Sequence, residues 1–161
     1  MINKFNLLFI TFFKIGKIKF APGTIASLIT CLLFLLLVNL FNIVILFFCT
    51  LLITLYSFIA INYSFNSFDS DDPQEIVIDE VVGQMLPLLA IPIYETLYSA
   101  PKIYYCIAAF ILFRLFDIWK PFPINYIDKN TEGSLGIMLD DIIAGIYAIF
   151  TLIIIFFFVG A

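Results

Sequence analysis

The chain has 161 residues, the size of one domain, with 63% hydrophobic and only 12% charged residues. A soluble domain carries about a quarter charged residues, so a single membrane-embedded domain over residues 1–161 is expected. The absence of histidine excludes Ser-His-Asp and Cys-His catalysis and His-ligated metals, and a net charge of -4 without a basic run excludes a nucleic-acid partner.

Residues 1–20 interleave Lys4, Lys14, Lys17 and Lys19 with apolar residues and read as an N-terminal interfacial amphipathic helix. No small-residue cleavage site follows, so this segment does not read as a cleaved signal. Pro22-Gly23 breaks the chain, and Thr24 is placed to cap a helix from about Ile25 to Leu40. A second apolar helix runs from Ile43 to about Phe65. The polar stretch Asn66 to Glu75 contains Asp69-Ser70-Asp71-Asp72. Pro73 follows it and no buried strand precedes it, so it reads as a solvated acidic loop and not as an aspartyl-phosphate phosphatase motif.

A third apolar segment spans Ile76 to about Ile93, and a fourth runs from Lys102 to about Phe116. A long loop with Pro121 and Pro123 covers Asp117 to about Gly136, and a last helix runs from Ile137 to about Val159. The fold class is therefore all-α: a polytopic membrane bundle of about five hydrophobic helices plus the interfacial one. Crossing the hydrocarbon takes about 20 residues. The second and fifth segments meet that length; the other three are shorter, which tilting, local thinning of the bilayer or a start inside the headgroup layer can accommodate. Cys31, Cys49 and Cys106 stand alone in apolar stretches with no CxxC spacing, as core or lipid-facing residues.

With the N-terminus inside and five crossings, every basic residue except Lys102 falls inside or at the inner boundary, the positive-inside pattern. Every acid except Glu95 falls on the same side. A site is expected there, on the cytosolic face.

Three acidic places stand where a helix meets that surface. Asp79 and Glu80 sit in IVIDEVVG, where an ionised carboxylate is costly; they serve either as helix-start residues or as functional groups, and both readings can hold. Asp117 ends the fourth helix, facing the negative end of its dipole. Arg114, Lys120 or a metal ion can compensate it. Asp140 and Asp141 open the last helix, flanked at one-turn spacing by Gly136 and Gly145, which let other helices approach closely. Five converging carboxylates would need a cation among them. With oxygen ligands only, the choice is Mg²⁺, Mn²⁺ or Ca²⁺. The turn FAPGTIAS at 20–27 enters a helix start suited to phosphate, or is an ordinary helix entry with Lys17 and Lys19 on lipid headgroups. Arg114 and Lys120 flank Asp117 and suit phosphate as well. Trp119 and Phe122 read as an interfacial anchor.

FAPGTIAS at 20–27, IVIDEVVGQ at 76–84, FRLFDIWKPFPI at 113–124 and GIMLDDIIAG at 136–145 together resemble the phosphatidylglycerophosphatase A family. The resemblance implies a Mg²⁺-dependent lipid phosphatase of the bacterial inner membrane. It would hydrolyse phosphatidylglycerophosphate to phosphatidylglycerol and inorganic phosphate. It implies Asp79, Glu80, Asp117, Asp140 and Asp141 as the catalytic and metal-holding set, with Gly23, Thr24, Arg114 and Lys120 on the substrate side. Ser134 stands where such sequences often carry the second of two glycines. Two other classes fit the residues alone: a cation transporter using membrane-boundary carboxylates, and a lipid-binding subunit without catalysis.

Overall fold

The computed structural model describes residues 4–64, 74–98 and 101–159. The acidic loop at 69–72 lies outside the described residues. Among the described residues every regular element is helical: α1 (Lys4–Ile10), a 3-10 turn (Ile15–Lys17), α2 (Pro22–Leu40), α3 (Ile43–Ser64), α4 (Ile78–Leu89), α5 (Ile91–Tyr98), α6 (Lys102–Trp119), α7 (Ile124–Asn130) and α8 (Gly133–Val159). Three helices are long and apolar enough to cross a membrane: Pro22–Leu40, Ile43–Ser64 and Gly133–Phe158. Large side chains on their outer faces, among them Leu36, Phe48, Leu52 and Phe150, are exposed, as lipid-facing residues are.

Several boundaries differ from the sequence expectation. The helix predicted over 1–20 is only Lys4–Ile10, because Phe12, Phe13 and Lys14 turn the chain through left-handed backbone. The segment is held by contacts that are remote in sequence. The Val77 N–H donates to the Ile10 carbonyl at 3.0 Å, and the Tyr56 hydroxyl donates to Asn6 Oδ1 at 2.8 Å. Helix α2 starts at Pro22 and not after Thr24. Proline at the first helical position loses no hydrogen bond, and Ala21 before it (φ 42°) makes the turn. The third apolar segment divides at Ala90 into α4 and α5, since Pro92 has no N–H to give the Leu88 carbonyl. The loop predicted over 117–136 is mostly helix. Helix α6 runs on through Trp119, α7 forms within the loop, and α8 begins a turn early at Gly133.

Most buried hydroxyls on the spanning helices are satisfied within their own helix. The hydroxyls of Ser27, Thr30, Thr50 and Ser57 each donate to the carbonyl four residues back, so they can be buried without an interhelical partner. At the far end of the bundle, Glu95 and Lys102 pair at 3.7 Å, and Lys102 also donates to Asn39 Oδ1. These are the two charged residues that charge patterning alone set apart from the rest.

Helices α4 and α8 cross in near backbone contact. A methyl group on Gly145 would collide with the Gly83 carbonyl oxygen, and one on Gly83 would collide with the Asp141 carbonyl and the Phe113 ring. Both helices begin at the same end of the bundle. The residue one turn before Gly83 is Asp79, and the residue one turn before Gly145 is Asp141. The glycine crossing therefore sets these carboxylates level with each other.

Candidate active site

A cavity of about 460 Å³ opens at this end of the bundle. Asp79, Glu80, Asp117, Asp140 and Asp141 all line it, as do Gly23, Thr24, Arg114 and Lys120. Every site residue singled out from the sequence is thus brought to one place. The cavity also takes in Lys19, Ala21, Gln74 and Ile118, which the motifs did not mark as site residues. The starts of α2 and α4 both face it.

The five acids do not form one uniform cluster. Oxygens of Asp79, Glu80 and Asp141 lie within 4.8 Å of one another. Asp79 and Asp141 are buried, and Asp79 Oδ1 and Glu80 Oε2 are buried oxygens with no hydrogen-bond donor among the described residues. Neither acid caps α4: Val77 occupies that position without a side-chain cap. Three carboxylates this close repel strongly unless a cation joins them. The Glu80 carboxylate occupies the space a side chain on Gly23 would need, so Gly23 serves the acid trio by its missing Cβ.

The other two acids hold cations. Asp117 Oδ2 lies 2.7 Å from Arg114 Nη1. This contact has the distance of an ion pair but not the direction of a hydrogen bond, and the buried Arg114 Nε and Nη1 have no hydrogen-bond acceptor among the described residues. The guanidinium lines the cavity beside Asp117. Lys120 ends α6 in left-handed backbone (φ 45°). It donates to Asp140 Oδ2 at 2.8 Å and to Asp128 on α7. Burial alone would lower its basicity, but the bonds to Asp128 and Asp140 outweigh burial and hold it above the ordinary lysine value. Asp128 was missed because the two prolines marked its segment as loop. Lys120 lies beside Asp117 in sequence, yet the described structure pairs it with Asp128 and Asp140.

Exposed apolar residues flank the mouth of the cavity: Ile18, Phe20, Ile118, Trp119 and Phe122. Exposed aromatic and aliphatic residues of this kind suit a membrane–water boundary.

Fold and site define an all-helical membrane protein with a cavity floored by carboxylates and walled by cations at one end of its bundle, a constellation suited to phosphate esters. Residues 8–156 match the family described as Phosphatidylglycerophosphatase A, and the chain belongs to that family. A Phosphatidylglycerophosphatase A of Haemophilus influenzae is 38% identical over 149 residues, covering 92% of this chain and 86% of the relative. That of Escherichia coli is 41% identical over 75 residues, covering 47% and 40%. A Bacteroides thetaiotaomicron protein provisionally named as a phosphatidylinositol-3-phosphatase is 38% identical over 142 residues, covering 86% and 85%. No solved structure matches the chain.

Proposed function

We propose that the protein removes the terminal phosphate of phosphatidylglycerophosphate, yielding phosphatidylglycerol and inorganic phosphate, with Mg²⁺ and at the cytosolic face of a bacterial inner membrane. The observation that carries this reading is the close carboxylate trio, with Asp79 Oδ1 and Glu80 Oε2 unpartnered among the described residues, facing the same cavity as Arg114 and Lys120. The donors are all oxygen and all anionic, which fits a hard divalent cation. Asp79, Glu80 and Asp141 would hold it. When bound, Mg²⁺ supplies positive charge to the phosphate oxygens as charge builds on them.

The chain's own groups account for the rest. Arg114 would bring the charge of its guanidinium, and Lys120 its ammonium, to the phosphate. Asp117 and Asp140 lie outside the trio. They place those two cations and are the carboxylates left to orient the attacking water and take its proton. Water attacks phosphorus, the P–O bond to glycerol breaks, and the departing glycerol oxygen is protonated. The exposed apolar belt leaves the acyl chains in the bilayer while the headgroup enters.

The test is phosphate release by purified protein from phosphatidylglycerophosphate, phosphatidic acid and phosphatidylinositol 3-phosphate, each with Mg²⁺ or with EDTA. Release from phosphatidylglycerophosphate is expected to be fastest. It should fall about 100-fold or more in EDTA and recover when Mg²⁺ is restored. Release that ignores EDTA overturns the metal assignment, and a faster rate on either other lipid overturns the substrate.

Asp128→Asn tests the bridge to α7. Lys120 would then be held by Asp140 alone, and kcat/KM should fall about tenfold through misplacement of the ammonium. Because the pair is part-exposed, thermal stability should change by less than about 1 kcal/mol. Unchanged kcat/KM would show that α7 has no part in placing Lys120.

A further inference from the structure

Phosphatidylglycerophosphate carries two phosphates: the terminal monoester that is cleaved and, three glycerol carbons away, the diester that joins the headgroup to the lipid. The acid floor with Arg114 and Lys120 accounts for the first. Resting on the proposed substrate, we infer that Lys19 binds the second, and that this contact selects a diphosphorylated lipid over one with a single phosphate.

Three observations carry the inference. Arg114 is tied to Asp117, and Lys120 to Asp128 and Asp140. Lys19 is the remaining cation lining the cavity, and it makes no ion pair among the described residues. Its neighbour in sequence, Lys17, is already paired with Glu75. The second observation is depth. Asp141, at the floor, is 3% exposed, whereas Lys19 and Gln74 are exposed at the rim. A headgroup with its monoester at the floor extends outward toward that rim. The third is the setting. Lys19 stands between Ile18 and Phe20, both exposed, Phe20 by 82%. Apolar side chains on either side of a lysine hold it at the level where lipid phosphates lie. The left-handed turn at Ala21 then sends the chain directly into the first turn of α2, so Lys19 is anchored to the cavity wall. A single-phosphate lipid such as phosphatidic acid cannot place one phosphate at the floor and another at the rim.

The experiment measures phosphate release from phosphatidylglycerophosphate and from phosphatidic acid, in mixed micelles with neutral detergent, by wild type, Lys19→Gln and Lys19→Arg. The ratio of kcat/KM for the two lipids is expected to fall about tenfold in Lys19→Gln, the scale of one charge-assisted hydrogen bond. The fall should appear in KM for phosphatidylglycerophosphate more than in kcat, and Lys19→Arg should restore most of it. An equal fall on both lipids would show that Lys19 merely attracts anionic surfaces, and an unchanged ratio would show no contact; either overturns the inference. These failures are distinct from failure of the underlying reading, in which wild type itself would not release phosphate from phosphatidylglycerophosphate.

Discussion

Asp141→Asn is expected to lower phosphate release by about 100-fold or more while leaving the fold at least as stable as wild type. The acid is 3% exposed and crowded by Asp79 and Glu80. Without a cation, removing one of three mutually repelling charges relieves the native state. With a cation, the same charge is a ligand. The two effects separate by measuring unfolding in detergent micelles with and without Mg²⁺. Wild type should gain several degrees from the ion, as any ligand that binds only the native state confers. The variant should start equal or higher and gain little. Asp117→Asn should also lose activity, through release of Arg114, but should keep the Mg²⁺-dependent gain because Asp117 lies outside the trio. A variant of Asp141 with near-normal turnover, or one that still responds fully to Mg²⁺, would contradict the division of the acids into ligands and cation holders.

Gly145→Leu should be the most damaging substitution outside the acids. Its first added carbon would strike the Gly83 carbonyl oxygen and crowd Leu86. Backbone does not yield as a flexible side chain does, so α8 must move away from α4. Overpacking of this kind costs about 1–3 kcal/mol. The larger consequence is functional, because the same crossing sets Asp141 beside Asp79 and Glu80. A displacement on the order of 1 Å is enough to lower turnover by about 100-fold. Thermal unfolding and Mg²⁺-dependent phosphate release, measured on the same preparation, test both parts. Full activity in a folded Gly145→Leu protein would show that the crossing does not set the register of the site.

The acidic set was legible in the sequence because carboxylates are rare in apolar helices and because long motifs surround them. Their arrangement was not. Adjacency in sequence links Lys120 to Asp117, but the left-handed end of α6 turns Lys120 toward α7 and α8 instead. Asp128 carried no signal of its own; Pro121 and Pro123 suggested loop, although α7 begins directly after Pro123, where a proline leaves the helix intact. Likewise, no local pattern announces that Ile10 accepts a hydrogen bond from Val77, so the N-terminal segment read as one helix. Gly145 was read as a point of close approach, and the backbone contact with Gly83 agrees. Gly136, in the first turn of α8, instead faces the Thr131 carbonyl in the α7–α8 connection. In the sequence Lys19 reads only as a headgroup lysine; its lack of an ion pair among the described residues stands out once Arg114 and Lys120 are engaged.

Helices α2 and α4 begin together at the cavity and run away from it. Each N-terminus carries an excess of roughly half a positive elementary charge. Unlike an ammonium group, a peptide dipole has no proton to lose and no rotamer to leave, so this contribution persists at any pH that preserves the fold. That charge offsets part of the repulsion among the carboxylates that line the cavity. Side-chain replacement can tune that potential but cannot erase it, although the α2 start keeps its place beside the acids only while position 23 stays glycine, since a Cβ there would strike the Glu80 carboxylate.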